Sequence, residues 1–410
     1  MSGPLASVLR RLGPCILGLL AAALVHAWVW GDPAGFTARM DFNGAPFEDF
    51  MGPYFEQGRA LLAGKAEPVP GFLYTPFFAA SMAPLAATGP RLAPWIWLVV
   101  LVFSCSALAG MVGPARGQGG RAVPPAGAAT TFAWAASVGL CFPLFHGLHW
   151  GQVSALLTAC MLGGLVLTAR GRPWIGGMLV GLAAAIKLYP LVLLPVLACL
   201  PGRRACFSAA VSALVAGLGV PAIAMGWEPT LAFYGRIFGS LSASSGSWTQ
   251  AVASQFAGAV AFRLGSEHWP LPTLVWIPRV LAVGLGVCAL SRVAALARIE
   301  PHGAWLRPAV GLVCCLPLAL PPAWPHYFAW LPMAWGLAWP ARHSGPATLG
   351  EWWARGAVAI SALLSSVPAF ASTGSYREYF GSGALLLASL LVVPALLGKD
   401  SRNSPGGEAL

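Results

Sequence analysis

Apolar runs of roughly 16–22 residues recur from one end of this 410-residue chain to the other. That is the length a helix needs to cross a hydrocarbon core. The chain is 57% hydrophobic and 9% charged, against about 25% charged for a soluble domain. The expected fold is an all-α polytopic membrane protein, one membrane domain over residues 1–398. No soluble domain of normal size fits between the runs. The tail 399–410 is polar and is expected to be disordered.

The expected segments are 13–30, 72–88, 93–113, 127–146, 152–169, 174–200, 206–226, 270–291, 308–323, 328–340, 355–371 and 383–398. They number 12, or 13 if 174–200 divides at Lys187-Leu188-Tyr189-Pro190, where proline and its restraint on the preceding residue break a helix. Arg10 and Arg11 precede the first run, which ends in bulky Trp28 and Trp30 with no small-residue cleavage site. It reads as an uncleaved helix with a cytoplasmic N-terminus, in preference to a signal peptide. The basic turns 170–172, 202–204, 292–298 and 399–402 are cytoplasmic candidates. They do not all obey strict alternation. One bent helix over 174–200 leaves 170–172 outside, whereas a hairpin lets both basic pairs lie inside.

The net charge is +11, carried by 21 Arg and three Lys. The Arg are scattered through short loops, which marks topology and attraction to anionic membrane lipids. A nucleic-acid partner is not expected. The nine Cys (Cys15, Cys105, Cys141, Cys160, Cys199, Cys206, Cys288, Cys314, Cys315) show no metal or redox spacing and read as small buried side chains. The GxxxG spacings read as helix-packing contacts. P-loop, GxSxG, HExxH and dinucleotide-binding fingerprints are absent.

Two long polar loops interrupt the spans, at 31–70 and 227–268. The first is acidic, with Asp41, Glu48, Asp49, Glu56 and Glu67. Long loops in compact domains are usually functional. Residues 54–64 suggest a short helix on the membrane surface, with Tyr54, Leu61 and Leu62 facing lipid. Asp49, fenced by Phe and Tyr, suits a general base whose proton affinity is tuned by partial desolvation. A solvated loop carboxylate is the plainer alternative, and Asp41 and Glu48 are rivals for the role.

Lys187 lies deep in an apolar run, where an ammonium costs about 2.5–3.5 kcal/mol at mid-helix. It reads as a point charge for a lipid phosphate, or as a side chain snorkelling to an interface. His146, His149 and Gln152 form a polar knot in HGLHWGQ. The i, i+3 histidines could face a metal, but Gly147 and Gly151 argue for a break and no third ligand is near. Hydrogen bonding to sugar or phosphate, or capping of two helix ends, fits better, and neither a metal nor a cofactor is expected. His326 and Tyr327 follow three prolines in five residues. A helix broken at membrane depth is tolerated where it lines a cavity or is buried in protein. In SLSASSGSWTQ (240–250), Trp248 and Gln250 could meet a sugar, though an interfacial Trp would look the same.

Several of these pieces, in order over 45–330, resemble glycosyltransferase family 87, polytopic enzymes of the GT-C fold. They are Asp49-Phe50 with Tyr54 and GRALLAG (58–64), Phe72-Leu73-Tyr74-Thr75-Pro76, Gly151-Gln152-Val153-Ser154, GLAAAIKLYP (181–190), and His326-Tyr327. Ser154 stands where the family usually has Asn. The resemblance implies a GT-C-like bundle with an acidic first outer loop. It implies inverting transfer of a hexose, mannose foremost, from a polyprenyl-phosphate donor to a lipid or glycan acceptor at the outer face of the plasma membrane. Asp49 would be the base. Lys187, His326, Tyr327, Gln152, His149, Arg59, Tyr74 and Gln250 would bind donor or substrate. A transporter or flippase of a lipid-linked substrate is the rival reading, since it too uses broken helices and intramembrane charge. A membrane scaffold without chemistry would leave Lys187 and the break at His326 without a reason.

Overall fold

The computed structural model describes residues 17–18, 20–22, 24–25, 47–115, 128–265, 270–299, 303–339, 348–373 and 375–398. Asp41 and the tail 399–410 lie outside them, as does most of segment 13–30. Its described residues are helical, and Gly18 meets Phe132 and Ala135 of the Ala128–Gly139 helix. The described residues are helices and connections, with one isolated bridge between Cys141 and Ser366 in place of a sheet.

Among the described residues, three helices are long and apolar enough to span a membrane: Ala93–Met111, Arg204–Met225 and Pro272–Ile299. Their faces divide as lipid demands. On the first, Trp97, Leu101, Ser104 and Leu108 recur at helical spacing and are buried. Trp95, Val99 and Phe103 point outward and are each more than 60% exposed. A helix in water would carry polar side chains on that outer face; here the outward face is as apolar as the inward one. Trp276, Val280, Val283 and Val287 repeat the pattern on the third helix.

The Pro173–Ile186 helix is gripped on two sides through small residues. Gly164 and Gly176 bring it against the Ser154–Ala169 helix; Gly177 and Gly181 bring it against Ala205, Ala209 and Ser212. A Cβ on any of these glycines would press into the neighbour's backbone or side chain. Such close approach is what small-xxx-small spacing provides in a membrane.

The contacts also settle the path of 174–200. Gly177 faces Ala205, Gly181 faces Ala209 and Ser212, and Gly217 approaches Ala185. The helix beginning at Arg204 therefore runs parallel to Pro173–Ile186, so the chain must return between them. It does so through extended Lys187, a 3-10 turn at Tyr189–Leu193 and a short helix at Leu194–Ala198. Pro190 and Pro195 prevent one continuous helix. The segment is a hairpin: the turns 170–172 and 202–204 share one end, and Lys187 sits at the other.

Four stretches differ from the sequence reading. Residues 227–250 were expected within a polar loop and form the helix Trp227–Gln250. Its serines and glycines mask a buried stripe at Thr230, Phe233 and Ile237, and Glu228 in its first turn suits the helix dipole. Tyr54 was expected to face lipid and is instead buried, in a π-turn Phe50–Tyr54 that precedes the surface helix Phe55–Leu62. Segments 127–146 and 355–371 are each broken. The break at 140–142 and the break at 365–367 complete one another: Phe142 N–H donates to Ser365 O at 2.8 Å, and Val367 N–H donates to Leu140 O at 2.9 Å. Backbone polar groups freed within an apolar bundle need such partners.

Candidate active site

The Phe142–Trp150 helix ends on Gly151, which adopts φ +68°. That left-handed conformation favours glycine, and a Cβ there would also lie 2.7 Å from Phe50 Cβ. The turn is fixed from outside by Trp97 Nε1, which donates to Gly151 O at 2.7 Å, and from inside by Gln152 N–H, which donates to Gly147 O at 2.7 Å. Phe47 N–H donates to His149 O at 2.8 Å, so the acidic segment is stitched to the same corner. Gln152 is thereby held, buried, beneath Asp49.

Gln152 is a hub. Its Nε2 donates to Asp49 Oδ2. Its Oε1 lies 2.8 Å from Tyr54 Oη and 3.0 Å from Tyr74 Oη, and the two phenols are 2.5 Å apart. Two phenolic protons thus serve three oxygens, which leaves Gln152 no freedom to turn its amide. The bond to Gln152 engages one carboxylate oxygen of Asp49, Oδ2.

Asp49 is half-buried, outside the membrane-spanning segments. Burial pushes its carboxyl above the usual range; the Gln152 hydrogen bond pulls it back, neighbouring Glu48 raises it, and Lys187 lowers it. A carboxylate made more basic by desolvation, with one donor and one cation favouring its ionised form, has the balance a general base needs.

Lys187 enters from the hairpin tip. Its Nζ lies 4.6 Å from the Tyr74 ring centroid and 4.2 Å from that of Tyr327, and it donates to Tyr327 Oη. Aromatic faces attract a desolvated cation without neutralising it. The ion pairs among the described residues are Arg59–Glu56 and Arg236–Glu67, so no carboxylate is paired with Lys187. Thr75 locks the helix end below it, accepting from Phe78 N–H and donating to Ala185 O. His326 completes this wall: its ring stacks on His146 at 5.7 Å and meets Tyr327 edge-on at 5.0 Å, and its buried Nδ1 has no hydrogen-bond partner.

Of the residues expected from sequence, Asp49, Gln152, Tyr74, Lys187, Tyr327 and His326 are brought together. His149 contributes its backbone oxygen, while its ring packs on Phe145 and Trp150. Arg59 does not join the cluster; it pairs with Glu56 at 2.9 Å on the exposed face of the surface helix. The Gln250 and Trp248 side chains lie outside what is described. Among the described residues, no three His, Cys, Asp or Glu side chains form a metal-holding group. Sequence reasoning missed Tyr54 and left Tyr189 without a role. The signal for Tyr54 was Pro53, which distorts the turn and drives the next side chain inward.

Residues 72–321 match glycosyltransferase family 87 over more than half of the chain. The chain belongs to glycosyltransferase family 87. Among its curated relatives, a polyprenol-phosphate-mannose-dependent alpha-(1-2)-phosphatidylinositol pentamannoside mannosyltransferase of Mycobacterium tuberculosis is 30% identical over 299 residues, 70% of this chain and 62% of that protein. A polyprenol-phosphate-mannose-dependent alpha-(1-2)-phosphatidylinositol mannoside mannosyltransferase of Mycolicibacterium smegmatis is 28% identical over 193 residues, 46% of this chain and 42% of that protein. The chain thus spans less than two thirds of the length of either relative. No solved structure matches it significantly. The family match includes Tyr74, Gln152 and Lys187, while Asp49 lies before its first residue.

Proposed function

We propose that this member of family 87 transfers a mannosyl residue from a polyprenyl-phosphate donor to a hydroxyl of a lipid-borne glycan, with inversion. The observation that carries the reading is the relay Asp49–Gln152–Tyr74–Lys187, which sets a base and an unpaired cation on either side of one aromatic wall. Asp49 takes the proton of the acceptor hydroxyl. The hydroxyl oxygen bonds to the anomeric carbon as the carbon–oxygen bond to phosphate breaks, and the electron pair leaves on the phosphate. Lys187 meets the charge that develops there. A fixed cation in a water-poor cleft does this without reorganisation. Attack opposite the phosphate inverts the anomeric centre.

The hairpin supports placing the chemistry at the outer face. The basic turns 170–172 and 202–204 share one end of the bundle, and positive turns face the cytoplasm. Lys187 and the acidic segment lie at the other end. The relatives' names speak of polyprenol-phosphate-mannose and of phosphatidylinositol mannosides, which supports this donor class and a glycolipid acceptor. Broken helices with a buried cation would also suit a transporter, but membership of a glycosyltransferase family favours transfer.

The test is a transfer assay in membranes with radiolabelled polyprenyl-phosphate mannose and a crude glycolipid acceptor pool. Label should move into a new lipid product, and Asp49→Ala should abolish it. No transfer from any polyprenyl-phosphate sugar by folded wild-type protein would overturn the reading.

A further inference from the structure

The short helix Tyr376–Gly381 lies beyond residue 321, where the family match ends. It is anchored by several separate contacts. Tyr379 Oη donates to Leu364 O at 2.5 Å, and its ring meets Phe142 at 5.3 Å, beside the paired breaks. Phe380 O accepts from Gln255 Nε2 at 3.0 Å and from Arg263 Nη2 at 3.1 Å. Arg263 also donates to Ala251 O at 2.9 Å and to Ser254 O at 2.8 Å. Gln255 N–H reaches Ala323 O, within the proline break, at 2.8 Å. A half-buried guanidinium given to three backbone carbonyls fixes the course of the chain. Here it locks the loop 251–256 to the turn that carries Tyr376.

Tyr376 stands at one end of a row of rings. It meets Phe380 at 4.3 Å, Phe380 meets His146 at 6.2 Å, His146 stacks on His326 at 5.7 Å, and His326 meets Tyr327 at 5.0 Å. Lys187 lies over Tyr327 at the other end. Asp49 is coupled to both ends: Lys187 acts on its carboxyl, and its own charge reaches Tyr376. Burial, and after it that charge, push the Tyr376 phenol up, so it stays protonated and can donate. The residue is half-buried, with an edge open to an incoming molecule. In-line displacement sets the attacking hydroxyl and the departing phosphate on opposite sides of the anomeric carbon. With Lys187 given to the phosphate, the phenol at the far end of the row is the donor left for the acceptor.

We propose that Tyr376 binds the acceptor sugar, its phenol donating to a hydroxyl beside the one that reacts, and that Arg263 is a positioning residue that holds the Tyr376 turn in place. This deepens the transfer reading given above and rests on it. The division of work is spatial. Asp49 takes the proton of the reacting hydroxyl, and Tyr376 decides which hydroxyl is presented to it. A phenol suits this task because it donates one directed hydrogen bond and offers an apolar ring face to a sugar. An acceptor without a hydroxyl at the neighbouring position would leave the phenol unanswered and bind less well.

The experiment is the membrane transfer assay with full-length protein, run at graded amounts of the glycolipid acceptor pool and, separately, of polyprenyl-phosphate mannose. Tyr376→Phe keeps the ring and its packing on Phe380 and removes only the hydroxyl. It should raise the acceptor concentration for half-maximal rate about three- to tenfold, the scale of one hydrogen bond. The maximal rate and the half-saturating donor concentration should stay within about twofold of wild type, on the same scale. Arg263→Lys, which cannot span three carbonyls, should shift the acceptor curve in the same direction. Added to Tyr376→Phe it should shift the curve no further, because both changes act through one contact. An unmoved acceptor curve in Tyr376→Phe, or equal shifts for donor and acceptor, would overturn the acceptor role and leave transfer by Asp49 standing. Additive shifts would overturn the positioning role of Arg263. Wild-type protein that transfers to nothing in the pool would overturn the transfer reading itself, and this proposal with it.

Discussion

Lys187 holds its ammonium 4.2 Å from the ring centroid of Tyr327, a residue 140 positions later in the chain, and hydrogen-bonds the same side chain's hydroxyl. The contact ties the two proline-broken segments together at the level of the site. It also keeps a cation desolvated without supplying an anion, the condition under which a phosphate gains most from arriving.

Replacing Lys187 tests that arrangement. Lys187→Met should weaken binding of polyprenyl phosphate about 10- to 100-fold, the scale of a charge-assisted hydrogen bond. Lys187→Arg keeps the charge but cannot occupy the same slot between Tyr74 and Tyr327, and should recover only part of it. Titration of protein in nanodiscs with the lipid phosphate reads both.

Asp49→Asn should lower the rate of transfer by about 10²–10⁴, the usual worth of a general base, with donor affinity nearly intact. A mutant that loses both together would assign Asp49 to binding instead.

The pH dependence has a definite sign. Asp49 must be ionised to accept a proton, and burial raises its pKa. The rate should therefore fall on acidification through that raised value, at higher pH than for a free aspartate. Gln152→Leu removes the hydrogen bond that pulls the pKa down, so the acid limb of kcat/KM should move to still higher pH. An unmoved limb would show that Asp49 is not the titrating base.

Gly151→Ala should destabilise the protein by about 1–3 kcal/mol through an unfavourable left-handed backbone, with further loss from the contact with Phe50. Thermal unfolding in detergent measures it. Because Gln152 is the next residue, transfer should fall by more than the loss of folded protein explains.

How far the sequence reached can be seen residue by residue. Length and apolarity were enough for an all-α membrane fold, since the bilayer leaves few alternatives. Lys187 was conspicuous because charge within an apolar run is costly, and His326 because prolines crowd before it. What the sequence hid was depth and direction. Tyr54 has the composition of a lipid-facing residue and only the π-turn at Pro53 takes it inside. The Trp227–Gln250 helix hid because serine and glycine read as loop, while its buried stripe of Thr230, Phe233 and Ile237 is short. Arg59 looked like a phosphate ligand because it sits beside the acidic motif, but its position on the Phe55–Leu62 helix turns it toward Glu56. The hairpin at 174–200 needed the glycine contacts between helices, which no one-dimensional pattern contains.

The mutual completion of the breaks at 140–142 and 365–367 bears on how the protein is made. Chains enter the membrane in the order of their synthesis. The amide of Phe142 and the carbonyl of Leu140 are therefore delivered long before Ser365 and Val367 exist to receive them. The first half of the bundle must wait, with its interruption unsheltered, until nearly the whole chain has been threaded. Completion of this protein is thus an event of late assembly, and a nascent chain stopped before the 349–364 helix would have spans in the bilayer with the break at 140–142 still lacking its partners.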